Sequence, residues 1–307
     1  MLSPDSKWPS AASLLSHGRI DEPAVAVVSV LGAHTHATSV TPRAATSTPI
    51  ALRKALLRYS TWSFEDQRDL LDHVGLVDLG DVHEPDTDEG AMELSRRLEG
   101  VSSDFTLLLG GDNALTWRAM SALARDHLDE WGLITLDAHL DMREGRSNGS
   151  PVRQLLEEGL EGSHVVQVGL ADFSNSSAYA RDAHDAGVTI IPRHAMRRRS
   201  VADVVDEALA RAGADGRRVY VDIDMDVCDR SVVPGCPAAA PGGLSADELR
   251  EFVRLVCAHP QVRALDVTEI DVTRDASDER TVRLGALVIL EALAGYVRRT
   301  PQHGSEQ

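Results

Sequence analysis

Aromatic residues are scarce in this chain, at 4% of its 307 residues. The hydrophobic core is therefore expected to rest on leucine, valine, isoleucine and alanine. Cysteine is also rare: Cys228, Cys236 and Cys257 are odd in number and lack the spacing of a disulfide framework. This usage predicts a reducing compartment, no disulfides and three cysteines that serve only in packing.

Positively charged residues are fewer than negatively charged ones. Lysine and arginine total 31 against 48 aspartates and glutamates, which gives a net charge of −17. Such a balance disfavours nucleic acid and anionic membrane surfaces as partners. No apolar run approaches the length of a membrane-spanning helix, and the first residues lack the basic-then-apolar pattern of a signal peptide. We therefore expect a cytoplasmic protein that acts without a membrane.

Strand and helix patterns alternate along the chain, which predicts an α/β fold with helices covering a mostly parallel sheet of about eight strands. The strands are predicted at 24–31, 75–80, 105–110, 133–138, 164–170, 187–192, 218–224 and 262–270. The helices are predicted at 48–60, 90–100, 114–128, 178–187, 201–213, 245–259 and 280–299. Residues 1–22 are expected to be an irregular lead-in, 23–299 a single domain and 300–307 a frayed tail.

The stretch "LITLDAHLD" ends a predicted strand with Asp137, His139 and Asp141. Alternate side chains of an extended chain point to the same side, so these three groups are expected to converge. Two carboxylates and an imidazole favour a metal site. A polar strand end with a capping aspartate and a solvated histidine remains the alternative.

Polar groups also follow three other predicted strands. Because ligands of parallel α/β sheets bind at the carboxyl ends of the strands, these groups are expected to share one rim with Asp137. Crowded carboxylates repel unless a cation lies among them or some are protonated. The groups are Asp112 and Asn113, then Asp222, Asp224, Asp226 and Asp229, and finally Glu269 and Asp271.

Taken in order, "GGDN", "DAHLD" and "DIDMDVCD" resemble the ureohydrolase family, which includes arginase, agmatinase and formimidoylglutamase. The resemblance runs from about residue 43 to about residue 293. It implies a single three-layer α/β/α domain and two manganese ions bridged by a hydroxide. It also implies that five residues are metal ligands: Asp137, His139, Asp141, Asp224 and Asp226.

Asn113 departs from the family pattern, because it stands where the family has a metal-binding histidine. An asparagine carbonyl is a weaker ligand than imidazole, so that metal position is weakened, completed by water or empty. The resemblance gives catalytic roles to Glu269, which faces the amidine of the substrate, and to Asp137 and Asp224. Asp112 and Asp229 are expected to brace their loops instead.

The loop after the metal motif points to the substrate. "DMR" followed by "SNGSP" resembles formimidoylglutamase, which accepts a dicarboxylate, and "GLADFSNSSAYAR" resembles the actinobacterial type of that enzyme. Arg143, with Ser147 or Asn148, is expected to hold a carboxylate, because a guanidinium can grip one with two parallel hydrogen bonds. A surface salt bridge is the alternative role of Arg143. Asp172 in "GLADFSNSSAYAR", and Arg43 near the start, are further candidates for substrate contact.

These expectations predict a metal-dependent hydrolase that converts N-formimidoyl-L-glutamate to L-glutamate and formamide in histidine degradation. One alternative is a ureohydrolase that releases urea from a guanidino acid. The other is a non-catalytic, ligand-sensing relative in which Asn113 and Asn148 mark lost function. The resemblance also implies a homo-oligomer, and the negative charge balance argues against a nucleic acid partner.

Overall fold

The computed structural model describes residues 7–16, 26–42, 47–101 and 103–299. Arg43 and the tail at 300–307 lie outside them. Within the described residues, nine strands form one sheet in which every pair is parallel, and two more form an antiparallel hairpin. The sheet strands are β1 (Leu15–Ser16), β2 (Ala26–Ala33), β5 (Val74–Val82), β6 (Phe105–Leu109), β7 (Trp131–Leu136), β8 (Val165–Leu170), β9 (Thr189–Pro192), β10 (Arg218–Asp224) and β11 (Val262–Thr268), and the hairpin strands are β3 (Trp62–Ser63) and β4 (Arg68–Asp69).

The order of the strands across the sheet is β1-β5-β2-β6-β11-β10-β7-β8-β9. The four strands whose carboxyl ends carry the candidate site are β6, β11, β10 and β7, and they are neighbours at the centre. The last two strands of the chain are thus inserted between β6 and β7. This insertion creates a crevice at the central strand ends, where open α/β sheets bind ligands.

Helices cover both faces of the sheet. They are α1 (Thr48–Ala55), α2 (Asp88–Glu99), α3 (Ala114–Ala124), α4 (Pro151–Glu157), α5 (Ser177–Asp185), α6 (Arg193–Met196), α7 (Val201–Ala212), α8 (Ala246–Cys257) and α9 (Arg280–Val297). Apolar residues of α1, α7, α8 and α9 pack on one face and those of α2, α3, α4 and α5 on the other. Successive residues of β6 alternate between the two cores, with Leu107 and Leu109 in one and Leu108 in the other.

The predicted fold class, a three-layer α/β/α domain around a parallel sheet, is confirmed, and all eight predicted strands are present. The pattern missed α4 and α6, which have seven and four residues and are too short for a clear helical period. The predicted irregular lead-in contains a 3-10 turn at Ala11–Leu14 and the edge strand β1. No helix in the described part of the chain combines the length and the apolarity that a membrane crossing requires.

Candidate metal centre

Three side chains from two neighbouring strand ends meet in one cluster. The Nδ1 atom of His139 lies 2.7 Å from Oδ2 of Asp226 and 3.4 Å from Oδ1 of Asp137. One potential ligand atom from each residue lies within 4.8 Å of the others. Asp137 follows β7 and Asp226 follows β10, so adjacent parallel strands deliver these ligands to the same rim.

Backbone N–H groups hold the carboxylates of this cluster in place. Ala138 N–H donates to Asp226 Oδ1 at 3.0 Å, His139 N–H to Asp137 Oδ1 at 2.6 Å, and Asp226 N–H to Asp224 Oδ1 at 2.8 Å. The alternation expected along a strand is not what unites Asp137, His139 and Asp141, because β7 ends at Leu136. A loop brings them together, and Asp141 adopts a left-handed backbone with φ of 51°.

The electrostatics of the cluster call for a cation. Burial, and then the neighbouring carboxylates, raise the pKa of Asp137 and of Asp224 well above the usual range. Burial likewise raises the pKa of Asp141 to about 6. Burial opposes the charge of His139, but Asp226 outweighs it and raises the imidazole pKa to about 9, and His139 in return lowers the pKa of Asp226. Without a metal, protons must supply the missing positive charge.

The donor set fits a divalent metal ion. Oδ2 of Asp137 is buried and receives no hydrogen bond from any described residue, which is a costly arrangement for a carboxylate that faces no cation. Carboxylate oxygens and one imidazole suit ions of the hardness of manganese. Asp137, His139 and Asp226 form the core of this set. Asp141 and Asp224 line the same cavity as His139 and Asp226.

Asn113, predicted as a ligand, lies beside the cluster with its amide held by neighbours. Its Oδ1 accepts hydrogen bonds from the hydroxyls of Thr116 at 2.8 Å and Thr268 at 3.0 Å, while its Nδ2 donates to Asp141 Oδ2 at 2.7 Å. The amide therefore presents nitrogen, not oxygen, to Asp141. Metal ligation through Oδ1 requires the amide to turn away from both hydroxyls.

Glu269 projects from the end of β11 with a left-handed backbone, φ 65°, that few non-glycine residues adopt. Its N–H donates to Gly111 O at 2.8 Å. Its Oε1 accepts two hydrogen bonds, from Asn113 N–H at 2.9 Å and from Asn148 Nδ2 at 2.8 Å. A strained backbone at such a position is typical of functional residues whose surroundings fix them.

A cavity of about 430 Å³ opens above the cluster. We call it the cleft. His139, Asp141, Asp224 and Asp226 line its floor together with Glu269, and Arg143 and Asn148 line it from the loop before α4. No acidic side chain among the described residues forms an ion pair with Arg143, which is exposed. The cleft thus combines a metal-binding floor with a guanidinium.

Two of the predicted substrate contacts lie elsewhere. Asp172 is exposed and lines a separate cavity of about 240 Å³. Ser147 accepts a hydrogen bond from Gly149 N–H at 3.2 Å and shapes the loop without lining the cleft. Asn175, in the same stretch as Asp172, does line the cleft, and its amide bonds Leu140 N–H and Ala138 O at 2.8 and 3.0 Å. It braces the loop that carries His139.

The two loop-bracing predictions agree with the structure. Asp112 accepts hydrogen bonds from Ser39 Oγ and Ala114 N–H. Asp229 accepts from Ser231 N–H at 2.8 Å and from Gly242 N–H at 2.7 Å. Neither residue lines the cleft.

Asp222 was expected to share the rim with Asp137, but it is buried inside β10 and does not line the cleft. It belongs to a second polar layer below the site, which was not recognised from the sequence. Asp222 and Asp266 are register partners on β10 and β11, and both are buried. Burial, and then Asp266, raise the pKa of Asp222 well above the usual range. Asp266 accepts a hydrogen bond from the Tyr220 hydroxyl at 2.7 Å. The Thr116 hydroxyl, which donates to Asn113 Oδ1, lies 2.9 Å from Asp266 Oδ2 and so connects the two residues. The signal was available: a carboxylate at 222 and another at 266, each inside a predicted central strand.

Known proteins resemble this chain over most of its length. The model of the arginase family matches residues 26–295. A formimidoylglutamase of Halalkalibacterium halodurans is 35% identical over 277 residues, which cover 87% of this chain and 86% of the relative. A crystal structure of formimidoylglutamase from Bacillus subtilis superposes with a TM-score of 0.87 at 30% identity, covering 97% of this chain and 94% of that one. A structure of Trypanosoma cruzi formiminoglutamase with Mn2+ gives a TM-score of 0.85 at 25% identity, covering 95% and 100%.

Proposed function

Because this chain belongs to the arginase family, we propose that it hydrolyses N-formimidoyl-L-glutamate to L-glutamate and formamide, a step of histidine degradation. The observation that carries the substrate class is Arg143, an exposed guanidinium that shares the cleft with the metal-binding floor and Glu269. A carboxylate at one end of the substrate and an amidine at the other match these two groups. The names of the similar proteins from Halalkalibacterium halodurans and Bacillus subtilis support the same reaction.

Manganese is the metal that we assign to the site, and Asp137, His139, Asp141, Asp224 and Asp226 would hold it. When bound, manganese supplies a nucleophilic hydroxide at neutral pH and polarises the carbon that is attacked. The side chain of Glu269 receives the cationic amidine, with Oε1 fixed by two N–H donors. We propose that Asn113 is primarily an organiser, since its amide joins Asp141 to Thr116 and Thr268.

The deciding assay is release of glutamate from N-formimidoyl-L-glutamate by manganese-loaded protein, with metal-stripped protein as the control. Release that depends on the metal supports the proposal. Urea release from a guanidino acid such as 4-guanidinobutyrate, without glutamate release, would instead identify a guanidino-acid hydrolase. If folded, metal-loaded protein acts on neither substrate, the result would favour the remaining alternative, a non-catalytic, ligand-sensing relative.

Replacing Arg143 by alanine should raise the KM for N-formimidoyl-L-glutamate by about 10- to 100-fold, the loss of a charge-assisted hydrogen-bond pair. Metal content should not change, since Arg143 touches no ligand carboxylate. Initial rates across a substrate series and elemental analysis of the dialysed protein provide the two readouts. Arg146→Ala is the matched control, because Arg146 belongs to the same loop but lies over the Trp117 ring, 5.2 Å from its centroid. An unchanged KM in Arg143→Ala would remove Arg143 from the substrate site.

Manganese binding should be coupled to proton release. In the metal-free protein, the His139 imidazole has a pKa of about 9, so it carries a proton at neutral pH that the metal must displace. The affinity should therefore strengthen at least about tenfold for each pH unit between roughly pH 6 and 8, because His139 releases one proton and the raised pKa values of Asp137 and Asp224 add to that release. Titration calorimetry in buffers with different protonation enthalpies measures both the affinity and the number of protons. A dissociation constant that is constant over this range would contradict the expected protonated histidine.

We also propose that the protein works in the cytoplasm and as a homo-oligomer. The three cysteines are buried and form no disulfide, which is consistent with a reducing compartment. Light scattering coupled to size-exclusion chromatography tests the assembly, and a mass equal to that of one chain would refute it.

A further inference from the structure

Two adjacent residues, Asn148 and Gly149, contact the groups that serve the two ends of the substrate. We propose that they form one specificity-determining element, which sets the separation between the amidine-facing Glu269 and the carboxylate-facing Arg143. Asn148 is a positioning residue for Glu269, and Gly149 makes room for the stem of Arg143. This inference rests on the proposed function and assigns Asn148 a different role from direct substrate binding.

The amide of Asn148 links Glu269 to the backbone of Val40, and both residues line the cleft. Its Nδ2 donates to Glu269 Oε1 at 2.8 Å, and its Oδ1 accepts from Val40 N–H at 2.8 Å. Its own N–H faces Thr38 O at 3.4 Å. The orientation is dictated by chemistry, because a backbone N–H can only donate and a carboxylate oxygen accepts. An aspartate of the same shape could not donate to Glu269.

Gly149 affects the position of Arg143, the residue that is proposed to face the carboxylate end of the substrate. A Cβ atom on this residue would lie 2.7 Å from Cδ and 3.1 Å from Nε of Arg143, so any larger residue must displace the arginine stem. The Gly149 carbonyl also accepts the N–H of Arg143 at 3.0 Å. The position of the guanidinium thus depends on the absence of a side chain at 149.

The turn that holds these two residues is closed by its flanking serines. Ser147 N–H donates to Ser150 Oγ at 2.8 Å, and Ser150 Oγ donates to Ser147 O at 2.9 Å. Ser150 is buried and α4 begins directly after it at Pro151. Because one tight turn carries both contacts, Glu269 and Arg143 are held at a fixed spacing, which selects the length of the substrate.

The test compares two substrates in the manganese-loaded enzyme. One is N-formimidoyl-L-glutamate, and the other is N-propylformamidine, which has the same amidine and no carboxylate. Gly149→Ala should raise the KM for the first substrate at least about tenfold, the worth of a displaced charged hydrogen bond, and leave kcat/KM for the second unchanged. Asn148→Ala should lower kcat for both substrates about 10- to 100-fold, as expected for a misplaced catalytic group, with little change in KM.

Binding of the product L-glutamate, measured by calorimetry, gives a readout that does not need turnover. Gly149→Ala should weaken this binding and Asn148→Ala should not. Gly100→Ala is the control for the added methyl group, since its Cβ would make only an ordinary contact at 3.7 Å. It should match the wild type in every assay.

The two proposals fail in different ways. If the wild type hydrolyses N-formimidoyl-L-glutamate but both variants lose the two substrates equally, only the specificity element is overturned and the turn is merely structural. A KM effect confined to the glutamate substrate in Asn148→Ala would also overturn it, since that result makes Asn148 a carboxylate contact. If the wild type neither turns over this substrate nor binds L-glutamate, the proposed function and the inference are both refuted.

Discussion

Replacing Asp226 by asparagine should lower kcat/KM for N-formimidoyl-L-glutamate by at least about 1,000-fold, since the site loses roughly 4 kcal/mol of metal-dependent stabilisation. Asp226 makes the shorter of the two contacts between the His139 ring and a cluster carboxylate, at 2.7 Å to Nδ1, and it also accepts the N–H of Ala138. Asparagine keeps the shape and one acceptor oxygen but removes the negative charge. Manganese retained after dialysis should fall in parallel with activity.

A nearby aspartate provides the control for this experiment. Asp229 follows the same strand, but among the described residues its carboxylate accepts hydrogen bonds from Ser231 and Gly242 of its own loop and does not line the cleft. Asp229→Asn should therefore retain manganese, even if it lowers the free energy of unfolding. Near wild-type activity and metal content in Asp226→Asn would show that the cluster is not the metal centre.

Replacing Glu269 by glutamine should lower kcat by about 100- to 1,000-fold, the range found when one preorganised polar group is removed from an active site. Glutamine can still accept the hydrogen bonds of Asn113 N–H and Asn148 Nδ2, so the local structure should persist. What disappears is the negative charge that faces the cationic amidine. Steady-state kinetics with elemental analysis separates this loss from a loss of metal.

The expected signature for Glu269→Gln is an inactive protein with full manganese content. Glu144→Gln offers a comparison, because Glu144 is exposed in the loop that carries Arg143 and does not line the cleft. It should behave as the wild type. If Glu269→Gln loses manganese as well as activity, Glu269 belongs to the metal site and the proposed role at the amidine is wrong.

Much of the fold could be predicted because local and global signals agree. The strands β6 and β7 are almost entirely apolar and buried at every position, so their composition identifies them. The short helices α4 and α6 were not predicted because their local sequence signal is weak. Seven residues of α4 and four of α6 hold too few turns for a helical stripe, and tertiary packing stabilises them.

The metal-binding residues could be predicted because their residue types and spacing identify them. The hydrogen bonds around them could not, because they depend on residues that are distant in the sequence. Asp137, His139 and Asp226 meet as expected, since the motif places them at adjacent strand ends. Asn113 shows the limit of that reasoning. Its place in the motif could be read from the sequence, but the two threonine hydroxyls that donate hydrogen bonds to its Oδ1 could not. Those hydroxyls come from Thr116 and Thr268, which are 152 residues apart and meet only in the folded sheet.

The strand order also determines when the sheet can be completed during synthesis. Before residues 218–268 emerge from the ribosome, the available strands can form only two half-sheets, β1-β5-β2-β6 and β7-β8-β9. Each half then ends in an unpaired central edge, at β6 or β7, whose residues are buried in the finished protein. Such edges pair readily with the wrong chain, and the long sequence separation makes their correct closure slow.

The strands that join the two halves also deliver Asp224, Asp226 and Glu269. Closure of the sheet and assembly of the metal site are therefore one event, and a nascent chain that stops short of β11 lacks both.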